Sequence, residues 1–373
     1  MMKHANGQAI IQAFEAFSPK HYAVEGDKIG LQVGTLNKPV KKVMVALDVI
    51  EPVVDEAIEA GVDLIIAHHP IIFKPIKSLR TDQVYGRTIE KLVKHDITVY
   101  AAHTNLDVAP GGVNDLMAEA LGIKEAEVLV ETFEDPLKKV VVYVPEENAQ
   151  QVREAMGQAG AGHLGNYSHC TFNTKGTGIF RPGEGTDPHI GEKGKMEYVD
   201  EVKIESVFPA SIEKRVVRAM TNAHPYEEVA YDLYEMAVPG RKLGLGRIGE
   251  LKNEMTLKEF GEHVKEAFGV RGARVVGDLD KKVKKVAVLG GDGNKYVNQA
   301  LFKGADVFVT GDLYYHVAHD AMMEGLMMVD PGHNAEKIMK QGVAGFLSAF
   351  IDEKKYSTEV ITSKVNTDPF QFI

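Results

Sequence analysis

VDLIIAHHPIIFKP, residues 62–75, decides the fold class and contains the first candidate site. Val62, Leu64, Ile65, Ile66 and Ala67 form a short apolar run of the kind that a parallel strand covered on both faces requires. Pro70 ends the run and biases His69 toward extended backbone, so the two imidazoles leave the strand end in different directions. Such a pair can serve metal ions or sit in an ordinary hydrogen-bonded turn. With 14 histidines in 373 residues, about half an adjacent pair arises by chance, so the rest of the chain must decide.

On either side of this stretch, helix and strand patterns alternate. GQAIIQAFEAF (7–17) has helical apolar spacing, and KKVMVALDV (41–49) reads as a strand. EPVVDEAIEAG (51–61) opens on an acid and a proline and closes on glycine, as a helix does. TDQVYGRTIEKLVKHD (81–96) is a further helix and ITVYAA (97–102) a further strand. Strands and helices in this order predict an α/β fold with a parallel sheet wrapped by helices. The last third repeats part of the pattern. Residues 43–69 align without a gap on 286–312, matching Val43 with Val286, Gly61 with Gly304 and Asp63 with Asp306 and laying VDLIIA over ADVFVT. Two related βαβ-containing halves of one sheet-based domain are therefore expected, 1–130 and 241–373. In this register His69 faces Asp312.

Between the halves, residues 131–240 read strand, helix, strand, glycine-rich loop, strand, helix, strand, the β-α-β-β-α-β order of a ferredoxin-like inserted α+β domain. The glycines of PGRKLGLGRIGEL (239–251) suit a crossing back into the main domain. As a nucleotide signal LGLGRIG is weak, because no strand and helix bracket it correctly.

Composition narrows the chemistry. Hydrophobic residues make up 44% and charged residues 26%, values of an ordinary folded protein. Cys170 is the only cysteine, so neither a disulfide framework nor a thiolate zinc site exists within one chain, and a metal would need His, Asp and Glu. A net charge of -10 argues against broad capture of nucleic acid. No apolar run approaches a membrane span, and MMKHANGQAI lacks the apolar core of a signal peptide, so a cytoplasmic location is expected.

Three polar clusters follow predicted strands: His68-His69, HTNLD (103–107) and DPGHNAEK (330–337). In open parallel sheets ligands bind at the carboxyl ends of strands, so the shared placement lets the clusters converge. Their candidate ligands are His68, His69, Asp107, His333 and Glu336. Three imidazoles and two carboxylates suit Zn, Mn, Fe or Co better than Ca, and five donors fit an open site for two divalent ions with a bridging carboxylate. Asp107, short and set in a tight turn, is the expected bridge. Each cluster also has an ordinary reading: a turn for the histidine pair, a helix cap for HTNLD, and first-turn dipole partners for Asn334 and Glu336. His103 and His316 are candidates for positioning or proton transfer, and equally for structural hydrogen bonds. No G-x-S-x-G nucleophile motif competes, so water is the expected nucleophile.

GDKIGLQVG (26–34), LDVIEPVVDEAIEAGVDLIIAHHPIIF (47–73), HTNLD, VFVTGDLYYH (307–316) and DPGHNAE together resemble the Nif-three-like family, also called GTP cyclohydrolase 1 type 2 homologs. The resemblance covers both outer segments in order. It implies a two-metal site at His68, His69, Asp107, His333 and Glu336, in a ring-shaped homohexamer with the metals facing an internal cavity. Lys28 stands where many members have asparagine, and GGDG (290–293) where GGSG is common. The inserted segment, through GTGIFRPGEGTDPHIGE (176–192) and HPYEEVAYDLY (224–234), resembles the PII-like, CutA-like middle domain of the longer bacterial members. Its glycine-rich loop, with Arg181 and His189, could cradle an anion or simply form turns and assembly contacts. Two functions are carried forward. The first is a metal-dependent hydrolase of a nucleotide-like or phosphate-bearing small molecule. The second is a metal-loaded regulatory or scaffold protein whose middle domain senses a ligand without turnover.

Overall fold

A computed structural model describes residues 3–373. The chain divides into two compact units, residues 1–133 with 243–373, and residues 134–242. Among the described residues no helix is long and apolar enough to cross a membrane.

The first unit is built on two large sheets rather than one, with a two-stranded sheet of Ala5–Asn6 and Pro39–Val40 beside them. The five-stranded sheet has the order Glu359–Thr362, Lys42–Ala46, Leu64–Ala67, Thr98–Ala101, Gly30–Val33, parallel except for the last pair. Leu64–Ala67 lies at its centre and is buried at every position, which is why its sequence shows no polar alternation. The six-stranded sheet has the order Arg274–Val276, Met327–Asp330, Val307–Gly311, Lys282–Asp292, Arg241–Thr256, Lys124–Asp135. The apolar side chains of Val43, Val45, Leu64 and Ile66 from one sheet and Val286, Val288, Val307 and Val309 from the other belong to a single buried cluster, together with Phe14, Met117, Phe260 and Leu347 from helices. The opposite face of each sheet has its own helical cover. Met44, Ala46 and Ile65 pack with Val53 and Val54 of helix Glu51–Glu59, and Phe308 and Met328 pack with Ala300 of helix Val297–Phe302.

The internal repeat has a physical basis at its identities. Asp63 accepts hydrogen bonds from the Lys41 and Lys42 amides through Oδ2 (2.6 and 3.1 Å), and Asp306 accepts from the Lys284 and Lys285 amides through the same atom (2.8 and 2.8 Å). Each aspartate thus ties the start of its own strand to that of the neighbouring one. Gly61 and Gly304 precede them at φ 66° and 73°, a region costly for residues with a Cβ.

The PGRKLGLGRIGEL stretch contains the return to the first unit at 242–243, and it runs there as part of the long strand Arg241–Thr256. Its glycines serve close strand packing. A Cβ on Gly244 would stand 1.8 Å from the Val130 carbonyl oxygen, and one on Gly249 2.4 Å from that of Lys124.

The second unit is a four-stranded antiparallel sheet ordered Tyr231–Glu235, Leu137–Pro145, Glu197–Pro209, Phe172–Phe180. With helices Ala149–Gln158 and Glu213–Ala223 between its strands, this is the spatial order of a β-α-β-β-α-β motif. Val142, Val144, Val202 and Ile204 face the helices and pack on Val152, Met156, Val216 and Met220. The first part of the glycine-rich segment, GTGIF, belongs to strand Phe172–Phe180 rather than to a loop.

Candidate metal centre

The three sequence segments that carry the site end or follow strands of both sheets. His68 and His69 follow Leu64–Ala67, where their amides continue the ladder by donating to the Ala46 and Leu47 carbonyls (3.1 and 2.9 Å). HTNLD does not cap a later helix; Thr104–Val108 is itself a short helix, closed by Leu106 and Asp107 amides donating to the His103 carbonyl. Buried Asn105 pins it by donating to the Ser18 carbonyl and hydroxyl (3.0 and 2.9 Å), so Asp107 is presented inward. In DPGHNAEK, Asp330 accepts from the Leu313 and Gly332 amides (3.0 and 2.8 Å) and shapes the turn, Gly332 takes φ 79°, and a 3-10 helix His333–Ile338 carries His333 and Glu336 on one side.

These turns bring all five candidate ligands together. Glu336 Oε2 is the hub, 3.1 Å from His69 Nε2, 3.2 Å from His333 Nε2 and 3.6 Å from His68 Nε2. His68 Nε2 also lies 3.7 Å from Asp107 Oδ1. The donor atoms form three groups within 4.8 Å: His69, His333 and Glu336; His68, Asp107 and Glu336; and His68, His69 and His103. The central carboxylate is therefore Glu336, shared by two groups, where the sequence reading favours Asp107. His316 is not brought in. It is exposed on helix Tyr315–Met323, with its ring against Tyr315.

Each imidazole spends Nδ1 on a fixed partner and turns Nε2 to the cluster. His68 Nδ1 donates to the Ala102 carbonyl (2.9 Å), which fixes the ring and turns Nε2 toward the cluster. His69 Nδ1 pairs with Asp48 (2.7 Å), His333 Nδ1 with Asp312 (2.7 Å) and His103 Nδ1 with Asp27 (2.9 Å). Asp27 also accepts from the Thr104 amide. Asp48, Asp312 and Asp27 are the residues that sequence reasoning did not single out. For Asp312 the repeat register supplied a signal, and for Asp27 the GDKIGLQVG match did.

The electrostatics are those of an anionic cavity. Burial would pull His69 toward the neutral form, but its bonds to Asp48 and Glu336 outweigh this and raise its pKa to about 10. The bond to Glu336, opposed by burial, raises His333 to about 9. Burial pushes Asp107 up to about 6. Burial also works against the Glu336 carboxylate, yet the His68 ring and bonds from His333 and its neighbours hold it well below the usual range.

The residues fit a divalent metal on two independent observations. His68 Nε2 and Asp107 Oδ1 are buried and have no hydrogen-bond partner, a state that buried polar atoms rarely keep without a ligand. The backbone has also been cleared around Glu336 and His333. A Cβ on Gly290 would stand 2.9 Å from Glu336 Oε1, and one on Gly291 3.0 Å from the same atom and 3.3 Å from His333 Nε2.

Comparison with known proteins agrees with this architecture over the whole chain. A curated relative from Halalkalibacterium halodurans is 63% identical over 372 residues, covering 100% of both chains, and one from Bacillus subtilis is 63% identical over 373. Both bear the name GTP cyclohydrolase 1 type 2 homolog. The crystal structure of a Bacillus cereus protein related to NIF3 matches with a TM-score of 0.95 at 61% identity over 100% of both chains. A Staphylococcus aureus protein matches with a TM-score of 0.77 at 34% identity, again over both full chains. The profile of Duf34/NIF3 (NGG1p interacting factor 3) matches residues 5–369, and the chain belongs to that family.

Proposed function

We propose that the cluster holds two divalent transition-metal ions, of Zn, Mn, Fe or Co, and that the protein hydrolyses a nucleotide-like or phosphate-bearing small molecule. His69, His333 and Glu336 would hold one ion, and His68, Asp107 and Glu336 the other. The observation that carries this is the pair of donor groups sharing Glu336, one of which contains two orphaned buried atoms. Bound there, the ions would supply Lewis acidity toward substrate oxygens and a nucleophilic water at neutral pH.

The chain's own residues do the rest. The Ala102 carbonyl and the Asp48 and Asp312 carboxylates orient three imidazoles, so that little rearrangement is needed on loading. His103, with Nδ1 held by Asp27, keeps Nε2 for proton transfer beside His68 and His69, to whose rings its own lies at 5.2 and 5.8 Å. The relatives' name points to GTP as one nucleotide to test. Residues 134–242 are read as a CutA-like, PII-like insertion, supported by their strand order, and the assembly as a homohexamer in the cytoplasm.

The test reconstitutes the full chain with each metal, counts bound ions by elemental analysis, and screens nucleotides and phosphodiesters with and without chelator. Chelator-sensitive hydrolysis is expected. Full metal loading with no turnover on any substrate would favour the regulatory reading, and absence of metal after reconstitution would end both.

A further inference from the structure

Within residues 134–242 lies a cleft of ≈ 480 Å³, the size of a small-metabolite site. It opens on the sheet face opposite the helices, because Tyr143 and Glu201 alternate with the core residues Val142, Val144 and Val202. Its floor is Glu201, which is 8% exposed. A carboxylate this buried normally has a cation beside it. Glu201 forms no ion pair among the described residues, and its one donor is the neutral Tyr226 hydroxyl at 3.1 Å. The strand beside it has been cleared for the carboxylate, since a Cβ on Gly178 would stand 2.2 Å from Glu201 Oε2.

The walls are aromatic and held in place. His224, buried in the HPY turn, donates through Nε2 to the Tyr143 carbonyl (2.9 Å) and accepts the Tyr226 amide at Nδ1 (3.1 Å). Burial lowers its pKa, which suits this acceptor role. The Tyr226 ring so positioned meets Phe180 edge-on at 5.8 Å. Across the mouth, Glu227 accepts the Asp187 amide (2.9 Å) and ties down the loop that bears His189. Arg181 is the only lysine or arginine among the lining residues, against Glu201, Glu227 and Glu228. This balance disfavours the anion that Arg181 and His189 suggest in the sequence.

We propose that this cleft binds a small organic cation, an ammonium or guanidinium group on an apolar body, with Glu201 pairing the charge and Phe180 and Tyr226 flanking it. A ligand of this class completes the buried carboxylate and gains cation–π contact from the rings. The site is separate from the metal cluster and does not depend on its function.

The test uses the full chain and three probes of one shape, phenethylammonium, 2-phenylethanol and phenylacetate, titrated by calorimetry. Saturable binding of phenethylammonium alone is expected. Glu201→Gln should weaken it by about tenfold or more, the effect of removing one charge-assisted contact. Gly178→Ala, which displaces the carboxylate without changing charge, should weaken it as well, and melting curves would show that each variant folds. Should one variant fail to fold, the other carries the test. The proposal is overturned by phenylacetate or 2-phenylethanol binding as tightly as the amine, by unchanged affinity in a folded variant, or by no saturable amine binding to the native protein.

Discussion

Replacing Glu336 by glutamine should empty the metal cluster, whereas replacing Asp107 by asparagine should only halve it. Glu336 Oε2 lies 3.1 to 3.6 Å from three imidazole nitrogens and belongs to two donor groups, so its loss leaves two donors in each. Reactive divalent sites commonly need three protein ligands. Asp107 belongs to one group, and its loss leaves His69, His333 and Glu336 intact. Removing a partner that merely orients a ligand weakens metal binding by ~10–100-fold, so loss of a shared ligand should exceed that at both positions. Glutamine retains an oxygen that can accept imidazole N–H bonds, so the fold should survive. The assay is elemental analysis of reconstituted, desalted protein, with melting curves for each variant. If Glu336→Gln kept its full complement while Asp107→Asn lost both ions, Glu336 would not be the shared ligand and the assignment drawn from the geometry would be wrong.

Asp48→Asn should weaken the His69 position by about 10- to 100-fold while sparing the His68 position, read as a drop to one tightly held ion. In metal-free protein the His69 and His333 pKa values of about 10 and 9 lie above the ordinary histidine value of 6.5. Their protonation therefore adds stability that is complete below pH ~6.5 and is lost as the pH rises through 9 and 10. The metal-free melting temperature should fall over that range, and metal binding should release protons measurable in buffers of different ionisation enthalpy; a flat profile would contradict the cluster's polarity. Gly291→Ala should reduce metal retention, because φ is 64° and the new Cβ would crowd Glu336 and His333. His316→Ala should leave metal content unchanged, since the ring is exposed and meets Tyr315 edge-on.

The parts legible in the sequence are those that a short window controls. Apolar runs such as VDLIIA and a proline or glycine at an element's edge mark strands and helices locally, and the histidine pair stands out because Pro70 stops the strand beside it. Asp48 is not separable from a turn aspartate in the sequence, and the faint signals for Asp312 and Asp27 say nothing of their role, which appears only when the fold sets each beside an imidazole 21 or more positions away. The choice between Asp107 and Glu336 as the shared carboxylate is likewise tertiary. In LGLGRIG the glycines have a further role that the sequence does not show. Glycine marks a loop in the sequence, but here the missing side chains admit a neighbouring backbone within a sheet. In GTGIF the same principle operates, where Gly178 makes room for Glu201.

Because His69 and Glu336 meet across 267 positions, the cluster cannot exist on a partly synthesised chain. His68, His69, His103 and Asp107 are synthesised first and wait for the segment bearing His333 and Glu336. Residues 134–242, which lie between the two groups in the chain, less than double that separation, and so add below ~0.6 kcal/mol to the entropy of bringing the ends together. Any loading of the proposed site would thus follow synthesis of both groups. A chain cut short before Glu336 would carry the early histidines without the carboxylate that the two proposed metal positions share.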